Sequence, residues 1–218
     1  MKILAVLFFI LPWVGFGGST QNSPANWTGK YAPCNRHADL LNVDHVNLAV
    51  RFSTVNTLLA QQFERAMDFW ASVLDIEWHQ VDSEDCAIQL VDGTPSLFDF
   101  CACVSARSQF PDREDFQGWI AFNPRFRLTK HEMFLDSVHE IGHLLGLTHN
   151  PSSSSVMFYF GLDKAPLLDT VDLDSLALRH RLRAQMASTK DVRVVEPRPA
   201  GTLSATVRRH LSRFGLAE

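Results

Sequence analysis

Between residues 46 and 52 the apolar Val46, Leu48, Val50 and Phe52 alternate with Asn47, Ala49 and Arg51, the period of two expected of a half-buried strand. The period then changes. Over 57–74, Leu59, Phe63, Ala66, Met67, Trp70 and Leu74 recur three and four apart, which predicts an amphipathic helix with Asn56 as its cap. Two strands are predicted at 76–81 and 86–91, separated by the polar Asp82-Ser83-Glu84-Asp85, with a turn at Asp92-Gly93 after the second. A further strand is predicted at 119–123, ending at Pro124. Thr129 and Glu132 have the spacing of a capping box, so a second helix should start at about Lys130; Phe134, Val138, Ile141 and Leu145 give it an apolar stripe. A closing helix is predicted at 169–184, acidic at its start, with Leu173, Leu176 and Ala177 facing inward. Beyond a linker at 195–201 that holds two prolines, Leu203, Val207, Leu211 and Phe214 share one face of a last segment, 202–216. Its Arg208, Arg209 and Arg213 fit a docked or frayed terminal helix better than a binder of acidic surfaces. This order of elements predicts a mixed α/β (α+β) domain with one sheet and a layer of helices beneath it.

Composition narrows the setting. With 218 residues, 46% of them hydrophobic, the chain has material for one core with ends attached. A formal charge of −4 argues against an electrostatically driven nucleic-acid binder. Lys2, the apolar run over 3–16 and the small residues at 15–19 read as a secretory signal, an uncleaved anchor being the alternative; the run is short for a membrane span. The expected organisation is a signal peptide at 1–19, an N-terminal extension at 20–43, the main folded domain at 44–186 and a C-terminal extension at 187–218. A secreted or extracellular monomer follows, periplasmic if the source is bacterial. Asn26-Trp27-Thr28 is a glycosylation acceptor pattern where the source glycosylates. In an oxidising compartment the four cysteines suit two disulfides. Cys101 and Cys103 would share one face of an extended strand, so Cys34 and Cys86 are each expected to pair with one of them.

The chemistry concentrates in His139-Glu140-Ile141-Gly142-His143-Leu144-Leu145-Gly146-Leu147-Thr148-His149. On a helix His139 and His143, four apart, stand one above the other and can present two imidazoles to one metal ion. Glu140, rotated by about a quarter turn, is kept off the metal but near a water bound to it. Gly146 can take positive φ, ending the helix and returning the chain so that His149 supplies a third ligand. Three protein ligands leave a fourth position for water, the arrangement of catalytic zinc. The other histidines, His37, His45, His79, His131, His180 and His210, have no ligand spacing and are read as structural or exposed.

With Ser155-Val156-Met157-Phe158-Tyr159 following, the pattern resembles the metzincin zinc peptidases, and the short gap from His149 to Met157 is similar to that of the matrixin family. Serralysins share the His-Glu-Ile-Gly-His wording but usually carry a longer insertion before the methionine. The resemblance covers about 44–184. It implies one mixed twisted sheet, an active-site helix and a C-terminal helix after a methionine turn in which Met157 floors the metal. It also implies one catalytic Zn(2+) on His139, His143 and His149, and a peptide or protein substrate that adds a strand to the sheet edge at 101–110. Zinc would lower the pKa of its bound water to about 7, with Glu140 as general base, giving an endopeptidase. The alternatives are a secreted zinc-binding or peptide-binding module without catalysis, and a hydrolase of non-peptide amides.

Departures from the family limit the transfer. No histidine lies between Gly93 and Phe110, so the structural zinc site of animal matrixins is not expected, and structural calcium has no supporting motif. Asn150 stands where matrixins usually have serine. Tyr159 resembles the turn tyrosine of astacins and serralysins; it can donate to an oxyanion or form an aromatic wall of the pocket. Cys34, within Ala32-Pro33-Cys34-Asn35-Arg36, is only thinly similar to a matrixin latency cysteine, and a disulfide is the simpler account. The serines at 152–155 are read as a flexible loop over the site.

Overall fold

The computed structural model describes residues 45–82, 87–101, 103–109, 117–159, 165–186 and 188–197. The expected signal, Cys34, the 202–216 segment, His37 and His210 lie outside them.

Strand β1 (Val46–Ser53) is followed by α1 (Thr57–Val73). Asn56 caps this helix by accepting a hydrogen bond from Leu59 N at 3.0 Å. Then come β2 (Ile76–Gln80), β3 (Ile88–Asp92), β4 (Ala106–Ser108) and β5 (Trp119–Phe122). The five strands form one sheet in the order β2-β1-β3-β5-β4, parallel throughout except for β4, which runs antiparallel to β5 along the edge. Because β1 lies inside the sheet, Val46 to Val50 are buried on both faces, and the half-buried strand read from its alternation is corrected. Small Ala49 and the short amide Asn47 fit where the pattern suggested solvent.

α2 (Lys130–Leu144) packs against α1. Its capping box is complete: Thr129 Oγ1 accepts from Glu132 N, and Glu132 accepts from Thr129 N at 2.6 Å. Phe134, Val138 and Ile141 are fully buried, and they meet Phe63, Met67 and Trp70 of α1 in one continuous core. Burying side chains of this size contributes roughly 1.5–3 kcal/mol each. The indole of Trp70 donates to Val138 O at 3.1 Å, pinning the two helices one residue before His139.

After the methionine turn come β6 (Leu167–Leu168), α3 (Thr170–Ala177) and β7 (Val192–Arg193). Asp169 caps α3 by accepting from Val171 N and Asp172 N. The helix is shorter than the predicted 169–184, and Ala177 is exposed, while Leu173 and Leu176 are buried as expected. Its continuation is captured by the other end of the molecule. Leu182 bridges to Leu74, and Arg183 Nε donates to the carbonyls of Ala71 and Leu74. These orphan carbonyls at the end of α1 reward an extended path over another helical turn. β7 pairs with β6, which adds a small two-stranded ribbon to the single sheet expected. Among the described residues no helix is long and apolar enough to cross a membrane.

One disulfide differs from expectation. Cys101 is bonded to Cys103, so neither pairs with Cys34 or Cys86. The expectation assumed an extended strand; here the chain turns at Cys103, bringing the two Cα atoms to 5.2 Å, a separation a disulfide spans. The edge strand occupies only 106–108 of the expected 101–110.

Candidate active site

Helix α2 delivers the first two histidines and a turn delivers the third. Gly146 N–H donates to His143 O and Leu147 N–H to Gly142 O, with Gly146 at φ 92°, which is a Schellman ending that only glycine adopts without strain. The reversed chain then carries His149 back beside the helix. Ring centroids lie 4.7 Å apart for His139 and His143, 4.7 Å for His143 and His149, and 5.4 Å for His139 and His149. One nitrogen from each ring falls within 4.8 Å of the others.

Whether this trio suits a metal can be judged from its hydrogen bonds. His139 Nδ1 contacts Val156 O at 2.6 Å, and His143 Nδ1 contacts Leu147 O at 2.8 Å. A carbonyl only accepts, so each Nδ1 carries the proton and each Nε2 presents a lone pair. Those two Nε2 atoms are 3.1 Å apart. Lone pairs so close repel one another unless a cation lies between them, and tetrahedral zinc ligands at about 2.0–2.1 Å stand roughly 3.3 Å apart. Burial holds the His139 pKa below the ordinary value and, with the neighbouring imidazoles adding, brings His143 down to about 3, so both rings are neutral near pH 7. Burial, and then repulsion from His139 whenever both rings are protonated, also lowers His149. Neutral rings with Nδ1–H fixed by backbone carbonyls are the form in which imidazole binds metal. The residues fit zinc.

Glu140 is buried beside the trio, and Ser108 Oγ of β4 donates to its Oε2 at 2.6 Å. Burial pushes its pKa up to about 7, with hydrogen bonds from Ser108 and the charge of Arg107 opposing. A carboxyl poised there exchanges a proton readily at neutral pH. Met157 is fully buried under α2: a Cβ added at Gly142 would stand 2.7 Å from its Sδ, so the missing side chain of Gly142 makes room for the methionine floor. Tyr159 is 55% exposed with its ring 6.2 Å from that of His149, on the rim of the cleft. The cleft has a volume of about 730 Å³ and runs between β4 and α2.

Three residues that shape this region were given no role from the sequence, where Asn150 stood out only as a departure from the matrixin serine. Ser108 is one; a lone serine in a three-residue strand has no periodic signal, and its partner lies 32 positions away. The others are Asn150 and Asp172, both buried. Asn150 Nδ2 donates to Asp169 Oδ1 at 3.0 Å and Asp172 Oδ1 at 2.9 Å, while Ser155 Oγ donates to Asp172 Oδ2 at 2.7 Å. Met157 N–H donates in turn to Ser155 Oγ, and Asn150 N–H to Met157 O. The serines read as a flexible loop are therefore tied: Ser155 is fully buried, and Ser152 N–H is held by Asn150 Oδ1. This network joins the residue after His149, the methionine turn and the cap of α3. The remaining described histidines stand away from the trio. His45 contacts Asp75, His131 contacts Glu196, and His180 Nε2 meets Leu145 O.

The matrixin family model matches residues 48–176, from inside β1 to the last turn of α3. No curated protein matches the chain directly. With a histidine trio fit for zinc, an edge strand facing it and a family match over more than half its length, the chain belongs to the matrixin family of zinc-dependent metallopeptidases.

Proposed function

We propose that the protein is a secreted endopeptidase that hydrolyses peptide bonds with His139, His143 and His149 holding one zinc ion and Glu140 as general base. The observation that carries this reading is the pair of lone-pair nitrogens 3.1 Å apart with Glu140 buried alongside. When bound, zinc supplies a Lewis acid that polarises the scissile carbonyl and acidifies the attacking water. Everything else falls to the chain. Glu140 takes the proton of the water and returns it to the leaving amine, while Ser108 fixes which carboxylate oxygen faces the reaction. Ala106, Arg107 and Ser108 form an antiparallel edge beside the cleft, so an extended substrate can extend the sheet there, which suits bonds in the interior of a peptide. Tyr159, on the rim, either donates to the oxyanion or walls the pocket. The apolar run over 3–16 supports export, and the reading takes the protein as a monomer.

The test is cleavage of a denatured protein by the purified mature chain. Turnover should vanish with a chelator, return with zinc, and be lost in Glu140→Gln while zinc stays bound one to one. Stoichiometric zinc with no peptide cut would instead favour a binding module without catalysis.

A further inference from the structure

We infer that Arg107, on the face of the edge strand turned away from α2, forms a subsite with Phe100 and Trp119 that accepts the carboxylate of a glutamate or aspartate side chain in the substrate. This rests on the peptidase reading above and names a substrate preference for the same cleft.

Side chains alternate along a strand, and β4 shows which way each of its own is directed. Ala106 is buried and Ser108 reaches Glu140 of α2, so both are turned toward the helix layer. Arg107, between them, is directed to the opposite face, where its guanidinium lies 4.8 Å from the centre of the Phe100 ring and 6.0 Å from that of Trp119. Trp119 stands on that same face of β5, in line with Ala121, the cross-strand partner of Arg107. All three residues line the cleft. Among the described residues the guanidinium makes one hydrogen bond, from Nη1 to Leu97 O at 2.9 Å, and no ion pair neutralises it. Asp99, next to Phe100 in the chain, is paired with Arg125 at 3.1 Å instead. The remaining N–H groups of Arg107 are donors beside the substrate path.

A peptide added to the free edge of β4 places one residue directly opposite Arg107, with its side chain on the Arg107 face and its Cβ about 4.5–5.5 Å from that of Arg107. The flanking residues of that peptide point the other way, toward the imidazoles and Glu140. Because the neighbouring Ser108 is bonded to Glu140, the residue opposite Arg107 lies within about two positions of the scissile bond. A guanidinium laid over aromatic rings directs its N–H edge sideways, where it meets both oxygens of a carboxylate. Phe100 is 67% exposed, so its ring can bed the methylenes of an incoming side chain and keep water off the ion pair. A carboxylate there gains charge-assisted hydrogen bonds. A lysine is repelled, and an apolar side chain strips water from the guanidinium without replacing it, so selection works by attraction and by rejection together.

The experiment uses the full mature chain with zinc and peptide sets identical except for Glu, Gln, Leu or Lys at one position at a time around a single cleavable bond. At one position kcat/KM should favour Glu over the isosteric Gln by roughly fivefold or more, with Lys lowest. Arg107→Gln should bring the Glu:Gln ratio close to one, and Arg107→Glu should reverse the order in favour of Lys. Should Arg107→Gln fail to fold, Phe100→Ala, at an exposed position, serves instead and should lower the ratio by roughly twofold or more. In parallel, the Kd of the same uncut peptides for Glu140→Gln should follow the wild-type order, which Arg107→Gln in that background should abolish. Cleavage with no preference for Glu at any position, or a preference that survives these substitutions, overturns the subsite and leaves the peptidase reading standing. So does an equal fall of kcat on every peptide with the Glu:Gln ratio unchanged, because Arg107 would then act only through Glu140. Selective binding of the Glu peptide without cleavage by the wild type supports the subsite and overturns the peptidase reading.

Discussion

Helices α1 and α2 lie side by side, each with a side-chain N-cap and each with a buried apolar stripe, yet their polar faces meet different fates. The polar face of α1 is solvated: Gln61 and Asp68 are exposed. That of α2 is turned under β4 and into the cleft, so His143 and Glu140 are buried although both are polar. The consequence is electrostatic. Burial raises the carboxyls of Asp136 and Glu140 and lowers the imidazoles of His139 and His143, while Asp68 simply accepts a hydrogen bond from Trp78. A solvated polar face keeps a helix soluble, whereas a desolvated one costs stability and is reactive, so the second kind marks function even where the two patterns look alike.

The contrast is sharpest in Glu140→Gln. Turnover should fall by about 10²–10⁴-fold with zinc content, read by elemental analysis, unchanged, while Gln61→Ala on the solvated face of α1 should alter neither. A large loss from Gln61→Ala would break the distinction. In the opposite direction, Trp70→Ala should cost about 3–5 kcal/mol in urea unfolding, because α1 acts through packing and through its indole bond to Val138 O. Unchanged stability there would mean that α1 is not the support of α2.

The pH dependence of stability should follow the same division. The Asp136 carboxyl is raised from 3.8 to about 6 on folding, so its favourable contribution is complete below about pH 4 and is lost as pH rises toward 6. Asp136→Asn should therefore gain stability relative to the wild type as pH rises through that window, by up to about 3 kcal/mol, measured on the zinc-free protein. A difference that is flat with pH would show the carboxylate to be solvated after all. The smallest effect is expected at the end of α2: Gly146→Ala forces a side chain to positive φ and should cost about 1–2 kcal/mol, with weaker zinc retention as His149 is displaced.

Most of the frame was legible because it is local. The Asn56 cap, the Thr129 and Glu132 capping box and the Gly146 ending are set by residues within a few positions of one another, and they place His139, His143 and His149 together. What could not be read depends on partners distant in sequence. The double burial of β1 follows from its place in the strand order, and the early end of α3 from Arg183 reaching back to the end of α1. The turn that lets Cys101 meet Cys103 breaks the extended geometry on which the expected pairing relied. Ser108 and Asp136 acquire their environments only when β4 closes over α2.

The ribbon of β6 and β7 gives residues near the end of the described chain a stake in the candidate metal centre. Val156 N–H donates to Leu167 O, and the carbonyl of that same Val156 orients His139, while on its other side Leu167 is paired with Arg193. Residues past the last helix thus act as an outer rail for the shelf on which the candidate ligand His139 rests. Clipping the polypeptide after Met186 would strip that rail away without touching any atom that meets substrate, and metal retention would register the cut before any loss of the main sheet.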